Sequence, residues 1–250
     1  MTAKTPSIIS RLVWVSCLLL VVLLAAIIFG SSIGSSGNQI VSVLQVISGK
    51  SDPDSMLHTI IWRIRLPRVL LAALVGATLS LGGLVFQALL RNLLAEPYIL
   101  GISGGSAIGA IAGILLGFTR FPGVSLIAFL GSIVTLVLIL VMTSGPSVLK
   151  KESLLLSGVM VNAFCSSVIM FLVSLTQDAR LHNIIFWLMG DLSTADIHQV
   201  GLLAAMLLPC FMIIFRHSHA MNLLLMGKEM AQSTGLNIKV VTITLLVTSS

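Results

Sequence analysis

Apolar runs near residues 12–30, 69–90, 98–118, 124–143, 154–175 and 199–215 constrain this chain more than any other feature. Each is about as long as the roughly 20 residues that an α-helix needs to cross the hydrocarbon core of a bilayer. A seventh run begins near 238 and reaches Ser250, and at about 1.5 Å per residue it is too short to cross alone. Composition agrees, with 57% hydrophobic and only 9% charged residues, against roughly 25% charged in an ordinary soluble domain. Glycines are scattered through the runs and period-2 alternation is rare, which argues for helices over a barrel of strands of about 10 alternating residues. The expected fold is therefore all-α: one polytopic transmembrane helical bundle over residues 1–250, with six spans and part of a seventh.

Lys4 and Arg11 precede the first run and Ser31, Ser32, Ser35 and Ser36 follow it, much as in a secretory signal. The run is longer than the roughly 7–15 residues of a signal core, so it reads as a retained helix. Cys17, Cys165 and Cys210 lie singly inside apolar runs and read as small packing residues. No disulfide, metal site or cofactor is expected, and nothing suggests a nucleic-acid partner.

Charge placement sets the expected orientation. With the N-terminus in the cytoplasm, Lys4, Arg11, Arg91, Lys150, Lys151, Arg216, Lys228 and Lys239 fall inside, and Lys50, Arg63, Arg65, Arg68, Arg120 and Arg180 fall outside. The inner side is favoured, as positive-inside topology requires, but only modestly. Arg63, Arg65 and Arg68 crowd the outer mouth of the second run, where insertion alone gives no reason for them. Arg65 and Arg68 are three residues apart, so in a regular helix their guanidinium groups share a face.

The glycines recur as Gly76, Gly82 and Gly83, then as Gly101, Gly104, Gly105 and Gly109. In lipid, small residues let helix backbones approach closely, so helix packing is their expected role. A phosphate loop is excluded, since no Gly-Lys-Ser/Thr follows. Between the two clusters lies a short polar turn with Asn92, Glu96 and Pro97.

Taken in order, the stretch R-L-P-R-V-L-L-A-A-L-V-G-A-T-L-S-L-G-G-L-V-F-Q-A-L-L-R-N-L-L-A-E-P-Y-I-L-G-I-S-G-G-S-A-I-G (Arg65 to Gly109) resembles the signature of the FecCD/BtuC-like permease subunits of bacterial ABC importers for iron-siderophores, haem or cobalamin. Leu93 stands where that family usually has Pro. F-W-L-M-G-D-L-S (Phe186 to Ser193) resembles the family's short W-x-x-G segment, and is also what an interfacial helix anchored by Trp187 would show. Lys151, Glu152 and Ser153, ahead of Leu154 to Gly158, match the start of the fifth helix, where the family places an inner gate. Residues 221–236 resemble the cytoplasmic coupling segment, with Gly227, Glu229, Ala231 and Gly235 in the family's order, and helix ends at Gly227 and Gly235 fit the short amphipathic helix pair such a segment needs.

The resemblance implies a multi-pass subunit of the bacterial inner membrane, N-terminus cytoplasmic. It would act as a homodimer with two copies of an ATP-binding subunit below and a periplasmic or lipoprotein substrate-binding protein above. Arg65 and Arg68 would dock that binding protein, the alternative being that they snorkel to anchor membrane-lipid headgroups. The cargo would be a metal chelate, ferric siderophore foremost, with haem or cobalamin as alternatives. Hydrolysis would belong to the partner, so the chain itself is no enzyme. Family members have about ten helices, so the chain is expected to be C-terminally incomplete relative to them.

Two other classes match parts of the pattern. Gly101-Ile102-Ser103-Gly104 matches the G-x-S-G of rhomboid-type intramembrane proteases, but that chemistry needs a histidine base inside the membrane. His58, His182, His198, His217 and His219 all fall in loops or at span ends. A secondary transporter would carry ionisable residues at mid-span, and these runs hold almost none.

Overall fold

Pro67 decides how the second span begins. A proline has no N–H to give the carbonyl four residues back, here that of Arg63. The backbone widens just before it, and residues Ile61–Arg65 form a π-helical turn closed by the Leu66 N–H on the Ile61 carbonyl. The computed structural model describes residues 8–32, 55–118, 122–143, 151–176, 178–193 and 195–250. Lys4, Lys50, Arg120 and Lys150, assigned above to loops on one side or the other, lie outside the described residues.

Helix α1 covers Ile8–Ser32. A single turn, α2 (Met56–Ile60), leads into the π turn and then α3 (Leu66–Leu90). Ser55 starts this run by accepting the His58 N–H at 3.2 Å, the usual office of a capping serine. Then come α4 (Ile102–Leu115), α5 (Gly123–Met142), α6 (Lys151–Leu175), α7 (Asp178–Met189) and α8 (Ile197–Arg216). The short pair α9 (Ser218–Met226) and α10 (Lys228–Ser233) precedes α11 (Ile238–Ser249). Among the described residues there is no strand.

Among the described residues, five helices are long and apolar enough to cross a membrane: those within Ile9–Ser32, His58–Leu90, Gly123–Met142, Glu152–Leu175 and Ile197–Arg216. The run at 98–118, expected as a sixth span, yields only the 14 residues of α4, about 21 Å of helix against a core of roughly 30 Å. Glycines trim it at both ends. Gly101 (φ 73°) and Gly117 (φ 92°) take left-handed backbone conformations that a side chain would resist.

The chain divides into two compact units, Met1–Val75 with Leu192–Ala204, and Gly76–Asp191 with Ala205–Ser250. In the first, the end of α1 meets the start of α3. The second holds three apolar clusters. Phe86, Leu90, Leu100, Ile139, Leu154 and Leu246 centre one of them. Val85, Ala88, Met221, Leu224, Ala231 and Leu245 centre another, and Ala110, Ile111, Ala128 and Ile184 a third. In lipid no hydrophobic drive distinguishes these contacts from contacts with acyl chains, so close fit and satisfied backbone groups must hold the helices together.

Candidate functional site

Close fit is concentrated on α4, which carries glycines on two faces. Toward α6, a methyl group on Gly101 would lie 2.8 Å from the Asn162 backbone nitrogen, and one on Gly104 would lie 2.6 Å from Cys165 Cβ. Toward α5, a methyl on Gly105 would strike Thr135 Oγ1 and stand 2.7 Å from the Gly131 carbonyl oxygen. One on Gly109 would strike the Ile127 carbonyl. The approach is reciprocal, since Gly131 backs onto the Gly105 carbonyl and Gly158 of α6 lies against Ile99 and Leu100. Gly113 and Gly131 were not singled out from sequence, and Gly158 only as the end of the Leu154–Gly158 motif; the signal for Gly131 and Gly158 is a small residue on the helix that faces α4. A methyl group on Gly82 or Gly83 would meet Pro97 in ordinary contact at 3.7 and 3.8 Å, whereas one on Gly76 would meet nothing within 4 Å.

The segment between α3 and α4 is held by its own polar groups. Arg91 adopts φ 48°, and the Asn92 N–H then reaches back to the Gln87 carbonyl at 3.2 Å, closing α3 in the manner of a Schellman turn. Asn92 Oδ1 accepts the Leu94 N–H at 3.0 Å, and Gln87 Nε2 donates to the Leu93 carbonyl at 3.1 Å. The turn buries Ala95 and Leu100 while leaving Leu93 and Leu94 more than four-fifths exposed. Beside it lies a cavity of about 450 Å³ lined by Thr78, Ser103, Ser106, Ser125 and Ser132 among others. Ser103 therefore faces open space, and the lining contains neither histidine nor a charged side chain, so the general base that a serine protease needs is not beside it.

Residues 221–236 form the two short helices α9 and α10 with a break between them. Gly227 sits at φ 130°, ψ 152°, a region open essentially to glycine alone. It ends α9 and starts α10, whose Ala231 N–H bonds the Gly227 carbonyl at 3.0 Å. At the other end Gly235 (φ 78°) makes a full Schellman closure, with its N–H on the Gln232 carbonyl at 2.9 Å and the Leu236 N–H on the Ala231 carbonyl at 3.2 Å. Asn237 then caps α11 by accepting the Val240 N–H at 3.2 Å. Ala231 is fully buried against the second cluster, while Glu229, Leu225, Met226 and Met230 are exposed. The pair is thus fastened by one face and presents a mixed apolar and acidic face outward.

At the start of α6, Glu152 lies in the first turn, where its charge suits the positive end of the helix dipole. Glu152 and Ser153 are exposed, Leu154 is buried, and Lys151 begins the helix.

Arg65, Arg68 and Arg180 each donate to backbone carbonyls. Arg65 Nη1 donates to the carbonyls of Ser31 and Ser32, at 3.0 and 3.2 Å. Arg68 Nη2 donates to the Ser193 carbonyl at 3.1 Å. Arg180 Nη1 donates to the Leu115 carbonyl at 2.6 Å. That last bond completes the end of α4, where the Phe118 N–H takes the Gly113 carbonyl and the Gly117 N–H takes that of Ile114. Arg65 and Arg68, expected on one shared face, thus reach two different targets. Among the described residues no cluster of three or more histidine, cysteine, aspartate or glutamate side chains is placed to hold a metal ion.

A solved structure described as an inward-facing conformation of an ABC transporter, assigned to the metal-chelate type, superposes with a TM-score of 0.76 at 27% identity, covering 92% of this chain and 70% of that one. The vitamin B12 import system permease protein BtuC of Salmonella arizonae is 38% identical over 177 residues, or 70% of this chain and 53% of that protein. BtuC of Klebsiella pneumoniae is 38% identical over 178 residues, with the same coverage. The chain spans about half the length of the curated relatives it matches. The model of the FecCD transport family matches residues 18–250, and with a helical multi-pass fold that agrees, the chain belongs to the FecCD transport family.

Proposed function

We propose that the chain is the membrane permease subunit of an ABC importer of the bacterial inner membrane, moving a large metal chelate inward with energy from separate ATPase subunits. The observation that carries this reading is the segment from Met221 to Leu236. Two short helices, broken at Gly227 and closed at Gly235, are seated through the buried Ala231 and expose Glu229, Met226 and Met230. An arrangement of this kind passes force: a partner that grips the exposed face moves α8 and α11 through the packed one. The ATPase is the proposed partner, and residues 221–236 form the coupling segment within a single permease domain. Because that partner is cytoplasmic, the same reading puts the N-terminus in the cytoplasm and the π turn outside.

On the outer side, a substrate-binding protein docks through acidic side chains, with the exposed Arg68 as its main contact. Arg65 stands beside it with Nη1 bonded to Ser31 and Ser32. Charge complementarity of this kind governs encounter and register. Lys151, Glu152 and Ser153 are proposed as the inner gate, and two copies of the chain enclose the pathway. The glycines of α4, with Gly82 and Gly83 of α3, serve helix packing, whereas Gly76 has open space around it.

The metal-chelate description of the structural neighbour supports the cargo class, and the names of the BtuC relatives favour cobalamin, itself a cobalt chelate, over the ferric siderophore expected from sequence. The test is uptake of radiolabelled vitamin B12, ferric siderophore and haem by vesicles holding the permease with its ATPase and binding protein. ATP-dependent uptake of any one supports the reading and identifies the cargo. Uptake that needs no ATP, and continues without the ATPase, contradicts it.

A further inference from the structure

The end of α1 contrasts with the rest of that helix. Its apolar flank from Ile9 to Leu24 is open, yet Ser31 and Ser32 at its last turn are 1% and 0% exposed. Burial leaves the final carbonyls of a helix without water, and nothing later in the helix can donate to them. Two devices compensate. The serine hydroxyls turn back to the carbonyls of Ile27 and Ile28, at 2.8 and 2.6 Å. The carbonyls of Ser31 and Ser32 themselves both accept from Arg65 Nη1. A cation at this end is also favoured by the negative pole of the helix dipole. Directly beside the bonds, a methyl group on Gly30 would stand 3.3 Å from Val69 Cγ2, so the first turn of α3 lies close against the last turn of α1.

The position of Arg65 makes it suitable for this work. It is the last residue of the π turn, and Pro67, which imposes that turn, is itself buried. From that turn the Arg65 guanidinium reaches the last turn of α1, whereas that of Arg68, three residues on, reaches Ser193.

We propose that Arg65 is a positioning residue: its guanidinium fastens the C-terminal turn of α1 to the start of α3, and so holds the outer mouth of the permease in the shape on which Arg68 and Arg63 are presented. Its charge is used on the chain's own backbone. Arg63 and Arg68, both exposed, are left to meet the partner. The link to docking rests on the transport reading above, but the fastening does not.

The test replaces Gly30→Cys and Val69→Cys in the full protein in membranes, with Cys17, Cys165 and Cys210 changed to Ser. Disulfide formation under a mild oxidant is followed by protection of the pair from a maleimide-polyethylene glycol reagent. With Arg65 present the bond should form readily, and Arg68→Ala should leave the rate unchanged. Arg65→Ala should slow it by about fivefold or more, the factor that corresponds to one lost kcal/mol, with Arg65→Lys between the two. Rates are compared on protein that stays monodisperse in detergent. Equal rates with and without Arg65 would overturn the proposal. A second readout covers a variant that folds poorly: with the disulfide formed in advance, Arg65→Ala should recover uptake and binding-protein affinity, whereas Arg68→Glu should not. If Arg65→Ala stays inactive with the bond in place, Arg65 acts on the partner and the positioning role falls. Crosslinking needs neither substrate nor partner, so a permease that crosslinks as described but carries nothing would count against the transport reading alone.

Discussion

One methyl group, added at two glycines, should change stability in opposite directions. On α4, Gly105→Ala places its new carbon into Thr135 Oγ1 and 2.7 Å from the Gly131 carbonyl oxygen. The threonine cannot simply turn away, since its hydroxyl bonds that same carbonyl at 3.0 Å, and the Gly131 backbone cannot retreat without moving α5. Overpacking of this kind costs about 1–3 kcal/mol, and the helix-propensity gain of alanine over glycine returns only about 0.5–1 kcal/mol. On α3, Gly76→Ala meets nothing within 4 Å and should keep that gain whole. For a chain of this size each kcal/mol is about 2–4 °C in Tm. Thermal unfolding of the purified permease, followed by thiol-reactive fluorescence or by monodispersity after heating, should therefore show Gly105→Ala falling by several degrees and Gly76→Ala level or slightly raised. Adding Thr135→Ala should recover only part of the loss, because the backbone oxygen stays. Equal Tm values for the two alanine variants would refute the view that backbone contact between α4 and α5 holds this part of the bundle.

Arg180→Ala removes an exposed bond to the Leu115 carbonyl at the end of α4, which should cost about 0.5–1.5 kcal/mol; a drop in Tm that Arg180→Lys partly restores would bear this out, and no drop would count against it. Gly227→Val forces a branched side chain into φ 130°, a strain of about 1–3 kcal/mol, and should lower the coupling of ATP hydrolysis to uptake more than it lowers insertion. Glu229→Lys changes an exposed residue, so Tm should stay within about 0.5 kcal/mol of the parent while ATP-driven uptake is lost; a large Tm change would assign Glu229 to the fold instead. Arg68→Glu should weaken binding-protein affinity at least tenfold at low salt and less at high salt, as screening of an exposed charge requires.

The helical membrane class was legible in the spacing of the apolar runs, because a bilayer admits few solutions for a chain with so little charge. Gly227 and Gly235 were legible as helix ends for a related reason, since glycine is the residue that tolerates such backbone angles. The length of α4 was not. Its flanking residues are as apolar as its interior, so hydropathy ran from 98 to 118 without marking the left-handed glycines at 101 and 117 that trim the helix to 14 residues. Charge placement put Arg65, Arg68 and Arg180 on one side of the membrane but gave no means of seeing the carbonyls they reach. The partners of Arg65 and Arg68 lie 34 and 125 positions away, and that of Arg180 lies 65 away. Helical spacing placed Arg65 and Arg68 near one another without indicating that one reaches Ser31 and Ser32 and the other Ser193.

The central claim is that a separate ATPase drives this permease through residues 221–236. Its most direct test is crosslinking from that segment: Glu229→Cys on the otherwise cysteine-free permease, carrying a short photoreactive group, assembled with the ATPase subunit in membranes. The account predicts adducts with the ATPase whose yield changes when ATP is bound, and none from the same group placed at Ser103. Strong ATP-driven uptake without any adduct at Glu229, or an adduct from Ser103 in its place, would contradict it.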